Sequence, residues 1–212
     1  MPLSFETPAF EAAFIELLRW RRDVRSFRTD PLDEADVEAL LHTAQLAPSV
    51  GLSQPWRFVR VRSQPARDAV RACFERCNAQ ALAGYQGEDA ALYARLKLSG
   101  LDDAPVQFAV FCDSAFDIGR GLGRRTMPET ASFSVVAAVH TLWLAARAKG
   151  IGMGWVSILD ADEIAASLDA PQGWRLIAYL CLGWPAQPHE VPELQRAGWE
   201  HRRSLETVLI ER

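Results

Sequence analysis

Arg21-Arg22-Asp23-Val24-Arg25 sets three guanidinium groups around one carboxylate, directly after a run from Phe10 to Trp20 in which Phe10, Ala13, Phe14, Leu17 and Leu18 recur at helical spacing. Three fixed positive charges therefore gather at the end of an amphipathic helix. Arginine forks suit phosphate oxygens because two N–H groups meet two acceptors in one plane, so a phosphate-bearing ligand is one reading. A solvated helix end, where arginine is favoured by the C-terminal dipole, is the other. These five residues alone do not choose between them.

The chain around them has 212 residues, 49% hydrophobic and 24% charged, enough for one sizeable core and too few for two, so a single domain over residues 1–212 is expected. A net charge of -4 offers no basic field to a nucleic-acid backbone, and no nucleic-acid partner is expected. Met1 to Glu6 lacks the basic, apolar and small-residue order of a leader, and the longest apolar stretches are broken by His140 or Arg147. The expectation is a cytoplasmic protein without membrane attachment. Cys73, Cys77, Cys112 and Cys181 show no metal-type or redox-type spacing and read as buried free thiols, and no His, Cys and carboxylate set points to a metal.

Outward from the arginines, Asp33 is placed to cap a second helix carrying Val37, Leu40, Leu41, Ala44 and Ala47, which Pro48 ends. Ala47 to Trp56 is dense in small and polar residues for a loop between core elements, and reads as a ligand-holding loop. Arg57–Arg62 alternates like a half-exposed strand, and helix follows from about Pro65 to Gln86. Residues 87–105 are mixed, with a short helix around Leu92 and Tyr93, and read as a lid-like surface excursion. Val106 to Asp113 is a buried strand by its continuous apolar character.

Gly119-Arg120-Gly121-Leu122-Gly123 fits the dinucleotide fingerprint poorly, because the third glycine is misplaced and the helix begins later. Thr126 to Glu129 has capping-box spacing, and the helix from there to Lys149-Gly150 is apolar nearly all round. Such a helix must be buried on every side, in the middle of the domain or in a subunit interface. His140 on it reads as a core or interface histidine. Ile151 to Asp160 is a glycine-punctuated strand, Asp162 to Leu168 a short helix and Trp174 to Leu182 a strand. Residues 187–212 read as an extended arm ending in a strand at Val208-Leu209-Ile210, with another subunit as one place for that strand to pair.

This order, with Arg21-Arg22-x-Val24-Arg25 early and Ala47-Pro48-Ser49 next, resembles the nitroreductase-like flavoprotein family over nearly the whole chain. The resemblance implies an α+β fold, a central mixed or antiparallel sheet flanked by helices, and a homodimer with a buried central helix and a C-terminal arm. It also implies FMN, held at the dimer interface. Asp23 departs from the family pattern, in which a serine is usual. Gly119 to Thr130, Gly154 to Asp160 and Ala47 to Trp56 look closely like the BluB branch, the 5,6-dimethylbenzimidazole synthases. That branch consumes FMN: reduced FMN and molecular oxygen give the lower base of vitamin B12 and erythrose 4-phosphate. A separate NAD(P)H-dependent flavin reductase would then supply reduced FMN.

On this resemblance Asp23 and Ser157 are the catalytic residues, Asp23 as base and then acid beside arginines that hold it ionised. Ser157, at a strand end after two glycines and a tryptophan, would sit near the reactive flavin edge. Arg21 and Arg25 would hold the phosphate, with Arg22 and Val24 in the same segment and Arg202 or Arg203 reaching in from the far end. Ser49 would touch the flavin or ribityl chain, and Leu98 would cover the ring. Two other readings stand beside this one: an FMN-dependent NAD(P)H nitroreductase or flavin reductase, and a non-catalytic flavin-binding module.

Overall fold

The computed structural model describes residues 5–113 and 118–212; the reading of Met1 to Glu6 falls mostly outside them. Among the described residues are helices α1 (Pro8–Trp20), α2 (Glu34–Ala44), α3 (Gln64–Ala83), α4 (Gly87–Ala94), α5 (Thr130–Ala148), α6 (Ala161–Ser167) and α7 (Glu193–Arg196). The strands are β1 (Trp56–Arg60), β2 (Val106–Asp113), β3 (Gly152–Val156) and β4 (Trp174–Gly183). They form one sheet in the order β1-β2-β4-β3, and every pair is antiparallel. Parallel pairing enters only as an isolated bridge between Asp23 and Met153.

Local signals explain most helix ends. The Asp33 carboxylate accepts from the Ala35 N–H and starts α2; Thr7, Ser63 and Asp160 do the same for α1, α3 and α6. The capping box at Thr126 does not form. Thr126 instead bonds the Gly123 carbonyl, and α5 begins at Thr130 without a side-chain cap, because the preceding residues are still turning. The first strand starts one residue earlier and ends at Arg60, although the Val61 N–H still donates to the Gln107 carbonyl at 3.0 Å.

Alternation along the strands builds two cores, one on each face of the sheet. Phe108, Val110, Leu180, Leu182 and Met153 face α2 and α5, while Ala109, Phe111, Tyr179, Cys181 and Val156 face α3 and α6. The helix α5 has the length and composition of a membrane span, but it lies against the sheet with Val135, Ala138, Val139, Leu142 and Ala146 fully buried. Removing a side chain such as Leu142 from water contributes about 1.5–3 kcal/mol.

Within this one chain α5 is not covered all round: Phe133 and Val136 are 57% and 40% exposed, and His140 is exposed beside them. Spacing of three and four residues makes these one stripe on α5, opposite its core face. The excursion at 87–105 is anchored rather than loose, since Tyr93, Leu101 and Ala104 are buried and the Tyr93 hydroxyl donates to Asn78 Oδ1. The C-terminal arm contains α7 and a short turn at Leu205–Thr207, and Val208, Leu209 and Ile210 are exposed and pair with no strand of this chain.

Candidate active site

The site is organised where the arginine segment lies along the free edge of β3. The Val24 N–H donates to the Met153 carbonyl at 3.0 Å, and the Trp155 N–H donates to Asp23 Oδ1 at 2.8 Å. This approach requires glycine at position 154, where a Cβ would stand 2.2 Å from the Val24 carbonyl oxygen. Val24 itself packs over Gly152, so its side chain supports the segment. The glycines that punctuate this strand are thus explained by the segment laid against them.

Asp23 is held at both oxygens. Oδ2 receives Arg25 Nε at 2.8 Å while Oδ1 takes the backbone N–H of Trp155. Each carboxylate oxygen has two lone pairs, so acceptor capacity remains for a substrate proton. Arg25 also donates Nη1 to the Lys97 carbonyl at 3.0 Å, which brings the residue next to Leu98 against the segment.

Arg21, Arg22, Asp23, Arg25 and Arg202 line one cavity of about 170 Å3 together with Pro192, Glu193 and Leu194. Arg203 does not line it. The Arg21 guanidinium lies over the Trp143 ring at 4.9 Å, and its Nε is buried without a hydrogen-bond partner. Burial draws the Arg21 pKa below its ordinary value, with Asp23 opposing the change and Arg202 adding to it. Guanidinium groups crowded in this way, one with a buried unsatisfied N–H, fit a dianionic phosphate.

Arg22 plays a different part from the one its sequence position suggests. Its Nη1 donates to the Leu18 and Arg21 carbonyls at the end of α1, and its Nε to the Glu190 carbonyl in the arm. The guanidinium closes the helix and pins the arm that carries Arg202. On the other side of the same segment lies a cavity of about 420 Å3, lined among others by Trp20, Trp143, Arg147 and His189.

Ser49 stands apart. Its Oγ accepts from the Gln54 N–H, and the next residue, Val50, donates its N–H to Ser134 Oγ near the start of α5. The arginine segment meets α5 at Trp143, whose Nε1 donates to the Arg22 carbonyl. Nine residues of helix separate the two, about 14 Å along the axis, so one chain does not bring Ser49 to Arg21. Ser157 is exposed just beyond β3, and neither it nor Leu98 lines the phosphate-type cavity.

Sequence reasoning missed Trp143, the Trp155 N–H and the Lys97 and Glu190 carbonyls. Trp143 was legible only as one more apolar residue of a buried helix. Among the described residues, no group of three His, Cys, Asp or Glu side chains could hold a metal ion.

Comparison with known proteins agrees with this geometry. The model of the nitroreductase family matches residues 18–184. A 5,6-dimethylbenzimidazole synthase of Rhodospirillum rubrum is 57% identical over 196 residues, 92% of this chain and 93% of the relative. One from Rhodobacter capsulatus is 48% identical over 92% of this chain and 94% of its own. Among solved structures, iodotyrosine deiodinase bound to FMN and 3-iodo-L-tyrosine superposes with a TM-score of 0.70 at 26% identity, covering 82% of this chain and 91% of that one. A BluB-like flavoprotein from Clostridium difficile shares the fold, with a TM-score of 0.69 at 19% identity over 93% and 98% of the two chains. Strand order, an arginine segment on the β3 edge and these similarities together place the chain in the nitroreductase family.

Proposed function

We propose that this protein is a 5,6-dimethylbenzimidazole synthase, which fragments reduced FMN with molecular oxygen into 5,6-dimethylbenzimidazole and erythrose 4-phosphate, with the pyrimidine part of the isoalloxazine leaving as a third fragment. Asp23 is the observation that carries this reading. A carboxyl group lining a phosphate-type cavity is a poor choice for simple FMN binding, yet it is placed for moving protons. FMN supplies the carbon skeleton and the reducing electrons, and oxygen accepts those electrons.

The residues divide the work. Arg21, with Arg202, holds the phosphate, and the unsatisfied Arg21 Nε supports that role. Asp23, aligned by the Trp155 N–H, takes protons from the ribityl side and returns them. Ser157 lies two residues past Trp155, where its hydroxyl donates or accepts at the flavin edge.

Ser49 completes the enclosure only in a homodimer, whereas Leu98 follows Lys97, whose carbonyl is held by Arg25 of the same chain. The exposed stripe Phe133, Val136 and His140 on α5 is suited to a two-fold interface, across which two helices run antiparallel. That pairing sets the start of one α5 beside the end of the other, and so the partner subunit's Ser49 beside Arg21. The arm then closes over the partner, with Val208 to Ile210 pairing there. A separate NAD(P)H flavin reductase delivers reduced FMN, and the enzyme works in the cytoplasm.

Incubation of the protein with reduced FMN in air is the test. Benzimidazole and erythrose 4-phosphate are expected in equal amounts, and Asp23→Asn and Ser157→Gly should lose the product while still binding FMN. Complete recovery of the flavin as FMN, together with sustained NAD(P)H oxidation, would assign the protein to the nitroreductase or flavin reductase reaction instead.

A further inference from the structure

Arg25 is the cation of the segment that bridges the Asp23 carboxylate to the stretch around Lys97. Its side chain is only 13% exposed; Nε binds Asp23 Oδ2 at 2.8 Å and Nη1 binds the Lys97 carbonyl at 3.0 Å. Residues 95–99 lie between two fixed points. Before them the Tyr93 hydroxyl is bound to Asn78, and after them Gly100 sits so close to Phe27 that a Cβ would stand 2.3 Å from its ring. Residues 95–99 also have the nearby ties of the Arg95 and Leu96 N–H groups to Leu92 and Tyr93 and of Lys97 Nζ to Asp103, and the Arg25 bond joins the stretch to the distant arginine segment. The planar guanidinium fixes the angle between its two partners, which a flexible ammonium would not.

We propose that Arg25 is a positioning residue for the fragmentation reaction, tying the orientation of the Asp23 carboxylate to the seating of residues 95–99 and Leu98, and that it does not serve as a phosphate ligand. The proposal rests on the catalytic role given to Asp23 above. Its chemical content is a two-ended link. When 95–99 is seated, Arg25 is held and Asp23 Oδ2 is fixed; when the link is cut at either end, the other end loosens.

Two measurements on the full-length protein test this, with Arg25→Gln and Asp23→Asn as the variants. The first is affinity for FMN and for riboflavin, which lacks the phosphate. A positioning role predicts that Arg25→Gln changes both by the same factor, whereas loss of a phosphate contact weakens FMN alone by about tenfold or more. The second is hydrogen–deuterium exchange of the peptide covering residues 95–100. Exchange should rise by about tenfold in Arg25→Gln, and also in Asp23→Asn, although Asp23 does not touch that peptide. A selective loss of FMN affinity, or unchanged exchange in both variants, would overturn the proposal. Should Arg25→Gln fail to fold, Arg25→Lys is read on the same two measurements, with intermediate exchange and no FMN-selective loss expected. Failure of the wild type to make benzimidazole would remove the functional reading, while binding and exchange would still decide whether Arg25 links Asp23 to residues 95–99.

Discussion

At the scale of single residues, the site is a contrast between charges held by side chains and charges held by the backbone. Arg21 and Arg202 crowd one cavity, and Arg21 keeps a buried N–H unsatisfied, so a phosphate relieves both repulsion and desolvation. Arg21→Gln should weaken FMN binding by about 10- to 100-fold and leave riboflavin binding nearly unchanged, as titration of flavin fluorescence will report. The residue types Arg, Asp and Arg were legible in the sequence because each has one dominant chemistry. The partners that decide their roles were not, because Lys97, Glu190 and Trp155 act through backbone groups that every residue carries. Thiols show the same limit from the other side: Cys73, Cys112 and Cys181 are buried as expected, but Cys77 is only half-buried. In the native protein Cys77 should react with iodoacetamide well before the other three, which mass spectrometry of the labelled peptides will show.

At the scale of elements, periodicity located nearly every helix and strand, because each has one face that must leave water. It failed where a local motif competed with tertiary packing. Thr126 and Glu129 have the spacing of a cap, yet the chain there is still turning through Gly119, Gly121 and Gly123, all at positive φ, and no helix start is available to cap. The apolar reading of α5 describes its composition on both faces, since the stripe left exposed carries Phe133 and Val136, and nothing within one chain covers that stripe. The β3 edge gives the sharpest expectation. Gly154→Ala places a methyl 2.2 Å from the Val24 carbonyl and must displace the arginine segment, whereas Gly84→Ala meets its nearest atom at 3.3 Å beyond the end of α3. The first change should cost roughly 2 kcal/mol or more and abolish FMN binding, and the second should leave both nearly intact, as thermal unfolding and flavin titration will measure.

At the scale of the whole molecule, two faces of one sheet are filled, and exposed apolar side chains remain on α1, on α5, around Leu52, Leu122 and Met127, and along the arm. Val136→Glu should therefore yield a folded monomer that makes no benzimidazole, with sedimentation separating the loss of association from a loss of folding. The buried thiols and phenol set the alkaline limit. Burial pushes Cys181 from its ordinary 9.0 up to about 12 and moves Tyr179 in the same direction, so these groups are bound to their protons more tightly in the folded chain. Stability from them is complete below about pH 9 and declines as pH rises toward 12, a slope that urea unfolding at pH 8, 9.5 and 11 should reveal. The strip from Asp23 to Val24 has one more consequence. By occupying the open side of β3, it removes a row of backbone donors and acceptors that would otherwise recruit strands from other molecules. Disruption of the ligand site and loss of colloidal stability then share one cause, and variants that dislodge this strip should aggregate faster than the wild type on storage, as light scattering will show.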